Sequence, residues 1–370
     1  MTFALRSFVL THVAQVETNG ERAYCGRVPG PIYGTSSKTS PMAGETQLKN
    51  AFWISFVGLT MAVHGYAASA SDISTRICPA PWQSASPPAD DCSSPEISLP
   101  TWSALSGENR VVTAHIRNGY LAENPSVPFR GNIIYYEGLG DSMVNHLPLV
   151  QKLTQAGYRV IAFDYMGQGG SSGSMNDTRI LQIGILGDKI WNLQARDLVH
   201  FPKKTILGWS TGGLAAYVQA EDSLDVNTII LIAPGIVPNK EVGEQDIFEL
   251  RFNQITLPTL TTQVYGPGIE NPHIDPIKPS SPLKVPGFAW DLIITAHNTR
   301  NLPMPVRVNG FVLLSGDSDT YVDARKTEAV LKKSAPQFKI IQYPGALHEI
   351  DNEAEPNRTN AQRDILEFLN

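Results

Sequence analysis

The chain has 370 residues, 42% of them hydrophobic and 17% charged, which is enough apolar material to bury one large core or two modest ones. A formal net charge of −6, with no long run of Lys or Arg, excludes a function built on nucleic-acid phosphates.

In chain order, residues 1–41 mix Gly, Pro, Ser and Thr without sustained periodicity and read as a leader, a disordered arm, or sequence ahead of a start at Met42. After Lys49 comes AFWISFVGLTMAV, an apolar run of 13 residues, then small residues that include Ala68-Ser69-Ala70, the pattern of a signal peptide and its cleavage site. A bilayer span takes about 20 residues, so no stable membrane span is expected from so short a run. The expectation is cleavage near Ala70: residues 1–70 are then a leader outside the mature fold, and the protein is secreted to a periplasm or beyond the cell. Cys25 leaves with the leader. Cys78 and Cys92, in RICPAPWQSASPPADDC, stay behind and are expected to form a disulfide. Its loop of about 15 residues gives ~3 kcal/mol in the chain-entropy model and would tie down a Pro/Ser-rich arm over 71–107.

From residue 108 to 370, short β-rich runs alternate with longer helical stretches, the signature of an α/β fold with a mostly parallel central sheet and helices on both faces. The predicted strands are Arg110 to His115, Asn132 to Tyr136, Tyr158 to Phe163, Lys204 to Trp209, Thr228 to Ile232, Gly310 to Leu314 and Lys339 to Tyr343. Helices are predicted between most of them. Leu147, Val150 and Leu153 recur at helical spacing within Met143 to Gln155, and further helices are expected at Thr211 to Ala220, Val322 to Lys333 and Ala361 to Leu369. Between Ile232 and Gly310 the alternation breaks for about seventy residues carrying eleven prolines. Residues 236–305 read as a helical cap inserted between two core strands, the sixth and seventh when Asn132 to Tyr136 counts as the third.

The chemistry starts at GWSTGG. A strand that passes straight into a helix through a tight turn forces its apical residue into a strained conformation, and the residues two positions either side must be tiny. Gly208 and Gly212 meet that demand around Ser210, and together they form a nucleophile elbow at the carboxyl end of the sheet. A serine hydroxyl needs a base within reach and an acid to orient that base. Among eight histidines, His348 alone follows the last predicted strand on a Gly-containing loop, in YPGALHEIDNE. The acid should lie between serine and histidine in chain order, where FVLLSGDSDTYVD offers Asp317, Asp319 and Asp323. One donor to the developing oxyanion should be the amide of Thr211, and the other should come from the loop after Tyr136.

From about Gly131 onward the chain resembles the α/β-hydrolase superfamily, and within it the monoacylglycerol lipase, lysophospholipase and serine aminopeptidase group. The motifs that carry the resemblance are GLGDS, DYMGQGGSSG, GWSTGG and the pair SGDSDTYV and GALHEIDNE. In that group the acid stands three residues after the strand-end glycine, so the resemblance selects Asp319, with Asp317 left as a turn residue and Asp323 as a helix-start residue. It also implies the amide of Leu139 as the second oxyanion donor, with Gly138 next in order. Two departures stand out. Glu137 occupies a position where the family has His, and Met166 and Gln168 stand where it more often has Arg and His. Asp164 reads as a scaffold residue, and Glu349 and Asp351 as turn and helix-start residues.

The expected function is hydrolysis of a small ester with an apolar acyl part, requiring no metal or organic cofactor and no nucleic-acid partner. A cap carboxylate among Glu241, Glu244, Asp246 and Glu249 would instead serve an aminopeptidase. Thioester or acyltransfer chemistry on the same residues, and a binding protein without turnover, are the remaining alternatives. Oligomeric state leaves no mark in the sequence.

Overall fold

The strands contain apolar runs such as IIYY, VIAF, IILI and FVLL because the sheet they form is covered on both faces. In the computed structural model of the chain, residues 95–102, 109–122, 126–239, 251–252, 255–275 and 283–370 are described. The strands are β1 (Glu96–Trp102), β2 (Asn109–His115), β3 (Asn118–Ala122), β4 (Gly131–Tyr136), β5 (Tyr158–Phe163), β6 (Lys204–Trp209), β7 (Val226–Ile232), β8 (Arg251–Phe252), β9 (Leu283–Lys284), β10 (Asn309–Ser315) and β11 (Lys339–Tyr343). The helices are α1 (Leu147–Gln155), α2 (Ile180–Gln194), α3 (Thr211–Asp222), α4 (Leu257–Leu260), α5 (Pro286–Thr299), α6 (Ala324–Ser334) and α7 (Asn357–Leu369).

Seven strands make one sheet in the order β11-β10-β7-β6-β4-β5-β3, parallel throughout except for the antiparallel pair β3 and β5. Alternate residues feed opposite faces. Ile134, Tyr136, Ile206, Leu231 and Leu314 pack with α2, α3 and α5, whereas Ile133, Tyr135, Leu207, Ile230 and Leu313 pack with α1 and α7. Strand β6 lies fourth of the seven, so whatever follows it emerges at the middle of the carboxyl edge.

The structure departs from the sequence expectation at several boundaries. Helix α1 starts at Leu147, four residues later than the spacing predicts, because Pro148 stands in its first turn and clashes with any helix running in from before it. Part of the expected arm is folded: β1 pairs residue for residue with β2, turning Ile97 and Leu99 into the core while Glu96 and Ser98 stay exposed. Its Pro100 sits in a two-stranded sheet, where a missing ladder donor is tolerated. Strand β3 has only five residues and an irregular register, too little for a period to show. Residues 1–94, with the leader, the cleavage site near Ala70, Cys78 and Cys92, lie outside the described residues, as do the cap residues 240–250. Among the described residues no helix is long and apolar enough to cross a membrane.

Candidate active site

The elbow is built from backbone. Ser210 has φ of 54°, a conformation rarely adopted by a residue with a side chain, and it is held there by hydrogen bonds from its own amide to Ile232 O (2.9 Å) and from Gly235 N to its carbonyl (2.8 Å). A Cβ at Gly208 would come within 2.5 Å of Gly212 O, and one at Gly212 within 2.2 Å of Tyr136 O and 2.5 Å of Glu137 O. These two glycines therefore let three backbone segments, the end of β4, the end of β6 and the start of α3, meet around one hydroxyl.

His348 Nε2 lies 2.8 Å from Ser210 Oγ, and its Nδ1 lies 2.9 Å from Asp319 Oδ2. The ring is boxed by Trp209 and Tyr321, at centroid distances of 5.3 and 4.9 Å, and the Trp209 indole donates to the His348 carbonyl at 3.0 Å. Asp319 accepts from Ser315 Oγ (2.6 Å) and from the amides of Tyr321 (2.8 Å) and Val322 (3.0 Å). Burial pushes its carboxyl up, but His348 and these donors outweigh burial and hold it below the usual carboxylate range. Asp317 is exposed and pairs with Arg325, while Asp323 caps α6 by accepting from Lys326 N at 2.9 Å. Of the three acids in that loop, only Asp319 faces the histidine.

The loop after β4 runs against the first turn of α3, as the close approach of Gly212 to Glu137 requires. Among the described residues neither the Leu139 amide nor the Thr211 amide has a protein acceptor, and Thr211 is the first residue of α3, where an unpaired N–H is expected. The two departures from the family pattern meet in this loop. Glu137 Oε1 accepts from Gln168 Nε2 at 2.8 Å and from Tyr165 N at 2.9 Å, and Gln168 also bonds Gly138 O (2.7 Å) and Gly140 N (2.8 Å). Gln168 thus grips the carbonyl before Leu139 and the amide after it. Glu137 is fully buried, and burial, reinforced by Asp164 and Asp141, drives its carboxyl well above the usual range.

Sequence reasoning read Asp164 as a scaffold residue but left its partners and the strap that crosses the histidine loop unassigned. Asp164 accepts from Met143 N (2.8 Å) and Gly170 N (2.5 Å) and pairs with buried Arg117, whose guanidinium also reaches Asp275 at 2.5 Å and Ser142 at 2.6 Å. A strap of the cap, residues 260–275, crosses the histidine loop: Glu349 N bonds Leu260 O (2.8 Å), Thr262 N bonds Glu353 (2.6 Å), and His273 lies 3.0 Å from Glu349. Phe288 of the cap is buried in the core beside α2 and α3, and Trp290 is exposed. Among the described residues no group of His, Cys, Asp and Glu is arranged to hold a metal ion.

This sheet order, with a strained serine turn after the central strand and an insertion after β7, is the α/β-hydrolase fold. Residues 128–281 match the family model described as serine aminopeptidase, S33. Solved structures similar to the chain include the monoacylglycerol lipase of Paleococcus ferrophilus, at 18% identity and a TM-score of 0.55, covering 69% of this chain and 98% of that one. A soluble variant of the Saccharomyces cerevisiae monoglyceride lipase with a substrate analogue is 14% identical with a TM-score of 0.56, covering 70% and 91%. A metagenome-derived lipolytic enzyme follows at 15% and 0.50, covering 69% and 96%. At such identities the likeness is one of fold.

Proposed function

We propose that the chain is a secreted serine hydrolase that cleaves carboxylic esters with an apolar acyl part, of the monoglyceride or lysolipid kind, through an acyl-enzyme. The observation that carries this reading is the unbroken hydrogen-bonded line from Ser210 through His348 to Asp319, with the serine pinned at positive φ. In the first step His348 Nε2 takes the Ser210 proton as the hydroxyl oxygen attacks the ester carbonyl. The Leu139 and Thr211 amides receive the oxyanion, and the imidazolium, steadied by Asp319, protonates the departing alcohol. Water then enters by the same route, His348 again serving as base, and the acid is released.

The test is turnover of short nitrophenyl esters together with fluorophosphonate labelling. Both should vanish in Ser210→Ala, and wild-type turnover in that variant would sink the proposal. The family match supports a second reading, removal of an N-terminal residue from a peptide. It calls for a carboxylate facing the substrate ammonium, and the candidates Glu241, Glu244, Asp246 and Glu249 lie outside the described residues. Faster cleavage of aminoacyl anilides than of fatty esters would favour it. The secreted state rests on the apolar run and the Ala68-Ser69-Ala70 site. An intact-mass measurement on exported material should give a chain starting near residue 71 with Cys78 and Cys92 resisting alkylation until reduced, and a chain that still carries its leader would refute export by this route.

A further inference from the structure

The site's three named side chains leave unused a second buried histidine. His146, at the N-terminus of α1, is 1% exposed, yet both of its ring nitrogens meet carboxylates. Nδ1 lies 2.7 Å from Asp351 Oδ2, and Nε2 lies 2.9 Å from Asp141 Oδ2 and 3.5 Å from Glu349 Oε1. A neutral imidazole has one donor, so it would turn a lone pair toward one of those carboxylates; only the cation satisfies both. Burial opposes the charge, but Asp351 and Asp141 outweigh it and raise the group well above the ordinary histidine range.

The placement of the partners matters more than their number. Asp141 lies two residues after Leu139, on the loop offered to the oxyanion, and Asp351 lies three residues after His348, on the loop that carries the base. The ring also sits 5.0 Å from Trp209, the residue before Ser210, and 5.3 Å from Tyr135 of β4. We infer that His146 is a positioning residue that clamps the oxyanion loop to the histidine loop, setting the distance between the base and the oxyanion amides. The inference rests on the hydrolase reading of Ser210. The charged and titratable groups facing the ring are Tyr135 from β4, Asp141 from the loop after it, and Glu349 and Asp351 from the histidine loop. His273 of the strap also reaches Glu349. At alkaline pH, loss of the ring proton opens one of the two carboxylate contacts and slackens the clamp.

The experiment uses the full chain with His146→Leu and with His146→Gln, which keeps one donor and no charge. Steady-state ester hydrolysis is followed into the alkaline range, and hydrogen exchange is followed over residues 137–145 and 347–353. Misplacing catalytic groups by about 1 Å can cost about a hundredfold. In His146→Leu, kcat should therefore fall by about ten- to a hundredfold with KM little changed, and His146→Gln should lie between it and wild type. The wild-type alkaline decline in kcat should be missing from both, and exchange should speed up in both loops together. A folded His146→Leu protein with kcat within about twofold of wild type, or faster exchange confined to α1, would overturn the clamp. Should His146→Leu not fold, Asp351→Asn weakens the hold on the proton while keeping its shape: the alkaline limb should move to lower pH, and an unmoved limb counts against the clamp. If wild type shows neither turnover nor labelling, the hydrolase reading fails, and the exchange measurement still decides whether the loops are coupled.

Discussion

Replacing Gly212 with alanine tests the proposition that the site is assembled by backbone contact. The new methyl would stand 2.2 Å from Tyr136 O and 2.5 Å from Glu137 O, where ordinary contact begins at 3.4 Å. Neither oxygen belongs to a flexible side chain. Strand β4 is paired with β5 on one side and β6 on the other, so the carbonyls cannot swing aside, and the loop that carries Leu139 must retreat from α3 by about 1 Å. A displacement of that size at the oxyanion amide should lower kcat by about a hundredfold and leave KM nearly unchanged, because ester binding does not depend on that amide until charge develops. Overpacking should also remove about 1–3 kcal/mol of stability, which lowers the melting temperature by ~2–12 °C for a domain of this size. Nitrophenyl ester kinetics and a thermal melt measure both effects, with Gly266→Ala, where an added Cβ meets nothing within 4 Å, as a near-silent control. A Gly212→Ala enzyme with kcat within about threefold of wild type would refute the reasoning.

Two further variants probe the carboxylates. Asp319→Asn should cut kcat by about three to four orders of magnitude without unfolding the chain, since the imidazole loses its orienting charge; steady-state kinetics beside a circular-dichroism melt decide it. Because the folded Asp319 carboxyl titrates below its unfolded value, its stabilisation is complete above the unfolded value near pH 4 and is lost as pH falls through the lower folded value. The urea midpoint of wild type should therefore exceed that of Asp319→Asn at neutral pH, and the gap should close in acid. Glu137 behaves oppositely: a carboxyl raised on folding adds stability only below its unfolded value, and that contribution disappears as pH rises through the folded one. Glu137→Gln, which keeps an acceptor for Tyr165 N and Gln168, should match wild type in acid and be more resistant to urea at neutral pH; a deficit at every pH would contradict this.

The parts of the site that local chemistry dictates were readable before any coordinates. Gly208 and Gly212 announce a tight turn, the apolar run before them announces a buried strand, and His348 is marked by following the last strand on a glycine loop. Asp319 was not separable from Asp317 and Asp323 on residue type alone. What distinguishes it is its partners, since its oxygens face Ser315, two amides and the imidazole, while Asp317 and Asp323 pair with the exposed side chains of Arg325 and Lys326. The supporting shell was illegible for a different reason. Glu137 and Gln168 look like isolated departures from a family pattern until folding brings them together, and His146 meets Asp351 from 205 residues away. Neither pairing leaves a periodicity or a spacing. Strand β1 was hidden by Pro100 and by the Pro/Ser-rich composition around it.

The strap over the histidine loop bears on how such an enzyme can be altered. Residues 260–275 belong to the insertion, the portion of this architecture freest to vary, yet Leu260, Thr262 and His273 hold the segment that carries His348. The cap and the histidine loop are therefore tied together by these contacts. Grafting a foreign lid onto this body, or trimming the native one, would disturb the loop that carries His348, and designers altering the cap should retain that crossing and make their changes upstream of it.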